Sequence, residues 1–159
     1  AAAGAWTRGR RPAWLQPPAA PRPAALGVKG GLDLNALGDG FVRLKERVDF
    51  VAVEGVGGWI VPITADYFSS DLAADLRLPV LVVAHNKLGC LNHILLTVCA
   101  IAAADLKCAG VVLNDLGAAG DLASETNADI LRRCVPWPLV EKLDLTSHEI
   151  PAPLREMLR

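Results

Sequence analysis

Apolar positions fall along this chain in two rhythms. Leu34, Leu37, Phe41, Leu44 and Val48 recur at spacings of three and four, the period of one helix face. Asp33 stands where it can cap that helix, which the pattern carries to about Arg47. Gly38 and Gly40 each weaken it by roughly 1 kcal/mol relative to Ala. Short unbroken apolar runs follow at 50–53, 80–83 and 111–113, a pattern that suits parallel strands buried on both faces. Between the runs the sequence predicts a short helix capped by Ser69 or Ser70 and running through Leu76. It then predicts a helix over 92–104, apolar nearly all round and therefore buried, and a helix over 122–134 that Pro136 and Pro138 stop. A short strand near Leu139-Val140 and one terminal helical turn complete the pattern.

Repeated strand–helix units in this order give an α/β fold, a parallel sheet with helices on both faces. The expected organisation is a Pro-rich, poorly structured segment at 1–32, an α/β domain at 33–145 and a tail at 146–159. Pro12, Pro17, Pro18, Pro21 and Pro23 exclude a helix interior from the first segment, whose Arg8, Arg10 and Arg11 read as part of a solvated tail.

Composition narrows the function classes. The 159 residues are 52% hydrophobic and 5% aromatic, so the core is mostly aliphatic, and a net charge of -1 argues against a nucleic-acid partner held by a basic field. The apolar run 94–104, interrupted by Thr97, is too short to span a bilayer. The first residues lack the basic and apolar parts of a signal peptide, so the expected location is cytoplasmic, with no membrane partner. Cys90, Cys99, Cys108 and Cys134 form no Cys-x-x-Cys pair and have no histidine at zinc-finger spacing. Cys99 and Cys108, in apolar surroundings, are expected as reduced core thiols.

Candidate chemistry gathers at three predicted strand ends, which a parallel sheet aligns along one edge. The first is Val51-Ala52-Val53-Glu54-Gly55-Val56-Gly57-Gly58-Trp59. Glu54 there can hold Mg²⁺, and the following amides can face phosphate oxygens; a glycine-rich turn with a solvated carboxylate is the competing reading. The second is the loop His85 to His93, where Gly89-Cys90-Leu91-Asn92 opens a helix whose free amides favour an anion such as a carboxylate. Ordinary capping by Asn92 is the alternative. Lys87 can neutralise an anion or stay solvated, and His85 and His93 have no partner at metal-ligand spacing. The third is Asn114-Asp115, equipped to read a purine edge or to make a simple turn. No Gly-x-Ser-x-Gly elbow and no Gly-x-x-x-x-Gly-Lys-Ser/Thr phosphate loop occur.

At these residues the chain resembles the dethiobiotin synthetases, ATP-dependent ligases of biotin biosynthesis. The resemblance rests on Val53-Glu54-Gly55-Val56-Gly57-Gly58-Trp59 followed by Pro62, on Leu78-Pro79-Val80, on Lys87-Leu88-Gly89-Cys90-Leu91-Asn92-His93 and on Asn114-Asp115, and it covers roughly residues 12–145. It implies a P-loop NTPase-like fold and a homodimer that carboxylates 7,8-diaminononanoate with CO₂ or bicarbonate. The carbamate is phosphorylated by MgATP, and ring closure gives dethiobiotin. By resemblance Glu54 is a Mg²⁺ ligand, Gly55, Val56 and Gly57 lie along the nucleotide phosphates, and Asn114 and Asp115 contact the adenine. The amides of Gly89, Cys90, Leu91 and Asn92 hold the substrate carboxylate, and the helix after Asn92 becomes an interface candidate. The family's first strand, phosphate loop, catalytic lysine and an acidic Mg²⁺ ligand have no counterpart in these 159 residues. The expected fold is therefore incomplete, no catalytic residue is identified, and activity is expected of the family rather than of this chain by itself. Two other readings stay open. One is another P-loop ATP-dependent ligase, such as a cobyrinate amidase relative, against which the Lys87 to His93 string speaks. The other is a non-catalytic dimerisation or ligand-binding module.

Overall fold

The computed structural model describes residues 33–55, 57–115, 122–134, 136, 139–140 and 152–157. The expected disorder of 1–32, the loop at 117–120, residue Val56 and most of the tail lie outside the described residues. The chain divides into two compact units, Ala1–Leu76 and Arg77–Arg159.

In the first unit, helix α1 spans Leu34–Lys45. Asp33 is its cap: the backbone there is extended, and its carboxylate accepts the Ala36 N–H at 3.1 Å. This satisfies one of the donors that every helix start leaves orphaned. The helix stops short of Arg47 because its last turn tightens, Arg47 N–H donating to Leu44 O at 3.0 Å. The strand expected at 50–53 is absent, since no regular strand occurs in this unit among the described residues. A strand exists through ladder bonds to a neighbour, and no described backbone pairs with 50–53, leaving Phe50 and Val53 exposed. Helix α2 spans Ser69–Leu76. Neither serine caps it. Ser69 already lies inside, and its hydroxyl donates to Val61 O at 3.4 Å. Instead the Asp71 carboxylate reaches back to the Phe68 N–H at 2.7 Å, the reverse half of a capping box.

The second unit carries the sheet. Strands β1 (Val80–His85), β2 (Cys108–Asn114) and β3 (Leu139–Val140) lie in the order β1-β2-β3, all parallel. Helix α3 (Cys90–Ala103) joins the first pair and α4 (Leu122–Cys134) the second; α5 (Ala152–Met157) follows β3. Both crossovers move the same way across the sheet. Right-handed connections then put α3 and α4 side by side on one face, and a hydrogen bond from Asn127 of α4 to Cys90 of α3 joins them. The expected α/β architecture with a parallel sheet is present.

Burial in this unit is concentrated on β2 and one stripe of α3. Val111, Val112 and Leu113 are fully buried, as are Ile94 and Ile101 of α3 and Leu131 of α4. Ile94, Val98 and Ile101 sit at spacings of four and three, one face of α3. The rest of α3 is not buried as expected: Leu96 is 61% exposed and Cys99 is exposed. Among the described residues, the buried stripe is the face of α3 that packs on β1 and β2. β1 likewise departs from burial on both faces, with Val83 at 58% exposure; among the described strands β1 stands at the edge of the sheet. Cys108 is the buried thiol the sequence anticipates, its Sγ donating to Gly110 O at 3.7 Å; desolvation by burial raises its pKa.

α3 also starts and ends differently from expectation. It begins at Cys90 because Gly89 takes the left-handed conformation at φ 86 and turns the chain into the helix. Asn92 is its third residue, exposed and not a cap. At the far end, Asp105 at φ 55 donates its N–H to Ala102 O, and Leu106 N–H reaches Ile101 O at 3.2 Å. This is a Schellman closure with Asp in the place glycine usually takes.

Truncating the buried stripe should separate core from surface. Ile101→Ala is expected to cost about 2–5 kcal/mol of unfolding free energy, and Leu96→Ala about 0.5 kcal/mol or less. Urea unfolding monitored by circular dichroism checks both values, and equal losses would contradict this assignment of the α3 faces.

Candidate functional site

In the first unit, Glu54 lies in the irregular segment that follows α1, and its side chain is exposed. Gly55 beside it is open, with no atom within 4 Å of where a Cβ would stand. Gly57 is different. Its φ of +86° belongs to glycine, and a Cβ there would meet Val61 Cγ2 at 3.0 Å. The backbone then turns at Trp59 and Ile60 and closes a loop between Pro62 and Phe68, with Ile63 N–H donating to Tyr67 O at 2.8 Å. Tyr67 anchors this loop to α2 by donating its hydroxyl to Asp75 at 2.7 Å. Burial, then that hydrogen bond and the nearby carboxylates of Asp75 and Asp71, push the phenol's pKa up.

In the second unit, β1 and β2 end together. His85 is the register partner of Asn114, and Asn86 N–H donates to Asn114 O at 3.0 Å. Two of the three expected chemical strand ends are therefore adjacent. Glu54 belongs to the other unit and ends no strand. Past Asn86 the chain makes one turn, closed by Cys90 N–H on Lys87 O at 3.1 Å, and enters α3 with no side chain capping the helix. Helix starts of this kind present amide donors and a partial positive charge. Lys87, Leu88, Asn92, His93 and His85 are all exposed around this turn. Cys90 is the exception: its side chain is buried.

A polar network lies beneath the turn. Asn86 is 7% exposed and Asn127 of α4 is 3% exposed. Asn127 Nδ2 donates to Asn86 Oδ1 at 2.9 Å and lies 3.3 Å from Lys87 O and 3.2 Å from Cys90 Sγ. Asn86 Nδ2 donates to the Asp115 carboxylate at 2.8 Å and to Ser124 O at 2.9 Å. One buried polar atom stands outside this network: Asn114 Oδ1 has no hydrogen-bond partner among the described residues. A buried acceptor without a donor costs free energy, and a ligand donor is one way to satisfy it. Among the described residues no cluster of three or more His, Cys, Asp or Glu is arranged to hold a metal, and no helix is long and apolar enough to cross a membrane.

The sequence reading missed Asn127. Its signal was a polar residue in the apolar phase of α4, four positions before the fully buried Leu131. The structure brings Gly89, Cys90, Leu91 and Asn92 to the turn beside Asn114 and Asp115; Val56 lies outside the described residues.

A family model described as an AAA domain (AAA_26) matches residues 10–145. The ATP-dependent dethiobiotin synthetase BioD of Serratia marcescens is 42% identical over 105 residues, covering 66% of this chain and 46% of that protein. The protein of the same name from Aeromonas hydrophila is 36% identical over 144 residues, covering 90% of this chain and 63% of its own length. That of Aromatoleum aromaticum is 38% identical over 148 residues, at 93% and 65%. The chain thus spans less than two-thirds of the length of each of these curated relatives. The resemblance read from the motifs is borne out, and with it the P-loop NTPase type of α/β fold.

The two first-unit glycines should respond differently to substitution. Gly57→Ala meets both a left-handed backbone and Val61, so a loss of about 1–3 kcal/mol is expected. Gly55→Ala, with open space around it, should stay within about 0.5 kcal/mol of the parent. Thermal unfolding of the two variants checks this, and an unperturbed Gly57→Ala would contradict the geometry of the turn.

Proposed function

We infer, since the chain belongs to the AAA domain family, that its residues serve the ATP-dependent carboxylation and ring closure of 7,8-diaminononanoate with CO₂ to dethiobiotin. The observation that carries this reading is the buried acceptor Asn114 Oδ1 at the end of β2, which has no partner among the described residues. An adenine amino group is a donor of the kind that atom lacks. In this reading Asn114 and Asp115 serve the base, and Gly55, Val56 and Gly57 serve the phosphates. The Cys90 amide is already engaged by Lys87 O, so the amides of Gly89, Leu91 and Asn92 at the α3 start bind the substrate carboxylate, with the exposed Lys87 adding positive charge. Mg²⁺ suits the exposed Glu54, because this ion commonly takes one or two protein carboxylates together with phosphate oxygens and water. When bound, the metal neutralises charge on the transferred phosphoryl group. The chemistry asks the protein chiefly to position donors around developing charge. In this reading the enzyme acts in the cytoplasm as a homodimer.

Titration calorimetry on the folded chain tests the reading, followed by phosphate release from MgATP with 7,8-diaminononanoate and bicarbonate. ATP and the diamine are both expected to bind. Asn114→Ala should weaken ATP about tenfold, one hydrogen bond's worth, and leave diamine affinity unchanged. Diamine-dependent phosphate release would establish catalysis. A folded chain that binds neither ligand would contradict the reading, and phosphate release with cobyrinate in place of the diamine would reassign it.

A further inference from the structure

We propose that Asn127, acting through Asn86, is a positioning residue that couples the carboxylate-binding turn to the nucleotide-base end of the sheet. The proposal rests on the functional reading above for the identity of the two ligands, and on geometry for the coupling. Asn127 Nδ2 reaches the turn at two points, Lys87 O and Cys90 Sγ, and reaches Asn86 Oδ1 at 2.9 Å. Asn86 carries the chain of bonds onward: its Nδ2 donates to Asp115 at 2.8 Å, and its backbone N–H donates to Asn114 O at 3.0 Å. Leu91 and Asn92 immediately follow the residue that Asn127 holds, and Asn114 and Asp115 are the residues that Asn86 holds. The two sites are thus joined by a contiguous run of hydrogen bonds through two buried side chains.

The pair does more than fill space. Two buried amides incur a desolvation cost that an apolar pair of similar volume would not. Their donors go to loop groups on both sides, and Ser124 O ties the same pair to α4. A network of this kind polarises and orders its members together. A ligand that orders one loop lowers the entropy cost of ordering the other, which appears as reciprocal tightening of the two ligands. Nothing in the site motifs themselves contains Asn127, which lies on another helix 35 residues after Asn92.

The test is a linkage measurement on the 159-residue chain, with adenosine and 7,8-diaminononanoate as probes. By calorimetry, saturating adenosine is expected to tighten the diamine about tenfold in the parent protein, within the usual range of allosteric coupling. In Asn127→Ala both ligands should still bind, with the mutual effect reduced to about twofold or less. A destabilised but merely structural residue would lower stability and leave the coupling ratio intact. Because Asn127→Ala can fail to fold, the parent protein supplies a second readout. In ¹⁵N-correlated NMR spectra, the side-chain amide signals of Asn86 and Asn127 should shift when either ligand is added alone. Independent binding in the parent protein, or unchanged coupling in Asn127→Ala, or amide signals that respond to neither ligand, would overturn the proposal. Binding of both probes without coupling would overturn it and leave the functional reading standing. Binding of neither probe to folded protein would overturn both.

Discussion

Two buried amides that satisfy each other fix the edge of the second unit where β1 and β2 end. Asn86 directly follows β1 and Asn127 sits mid-helix on α4; each is in a place where an unsatisfied amide would cost about 1–3 kcal/mol. The bond between them, at 2.9 Å, removes part of that cost, and their remaining donors find Asp115, Ser124 O, Lys87 O and Cys90 Sγ. One pair therefore sets the direction of the chain leaving β1, the seat of α4 and the first turn of α3. The apolar core supplies most of the stability, but it is indifferent to where a loop amide points. Directional bonds are what specify that.

Two polar features at this edge are left without a partner side chain among the described residues. α3 starts on a left-handed glycine, and no side chain caps its first amides. Asn114 is held by its backbone to Asn86 while its side-chain oxygen stays buried and unmatched among the described residues. The parallel register that pairs His85 with Asn114 brings these two deficits side by side. In the first unit a similar economy operates at Gly57, where the turn geometry and the closeness of Val61 both require the absence of a Cβ.

Much of this was legible in the sequence, and the rest was not for definite reasons. Asp33 as a cap, α4 over Leu122–Cys134 and the short strand Leu139–Val140 are local features, set by capping chemistry and prolines, and they appear where the pattern puts them. The run 50–53 has the composition of a strand but no neighbour among the described residues, and strand formation is a property of pairs. Leu96 and Cys99 sit on an apolar helix, yet periodicity cannot say which faces find partners. Ser69 and Asn92 are capping residue types that stand just before apolar runs. In the structure Asp71 reaches backward and Gly89 turns without a side chain. Asn127 was silent because a polar residue on a helix is usually solvated, and only tertiary packing reveals that this one is buried.

The most direct test of the account is a double-mutant cycle on Asn86 and Asn127, measured by urea unfolding of Asn86→Ala, Asn127→Ala and the double variant. The account predicts strong non-additivity: each single change strands the other amide, so the double variant loses less than the sum, with a coupling of about 1–3 kcal/mol. Losses that add to within about 0.5 kcal/mol would show that the two side chains act independently, and would contradict the claim that their bond organises this edge of the sheet.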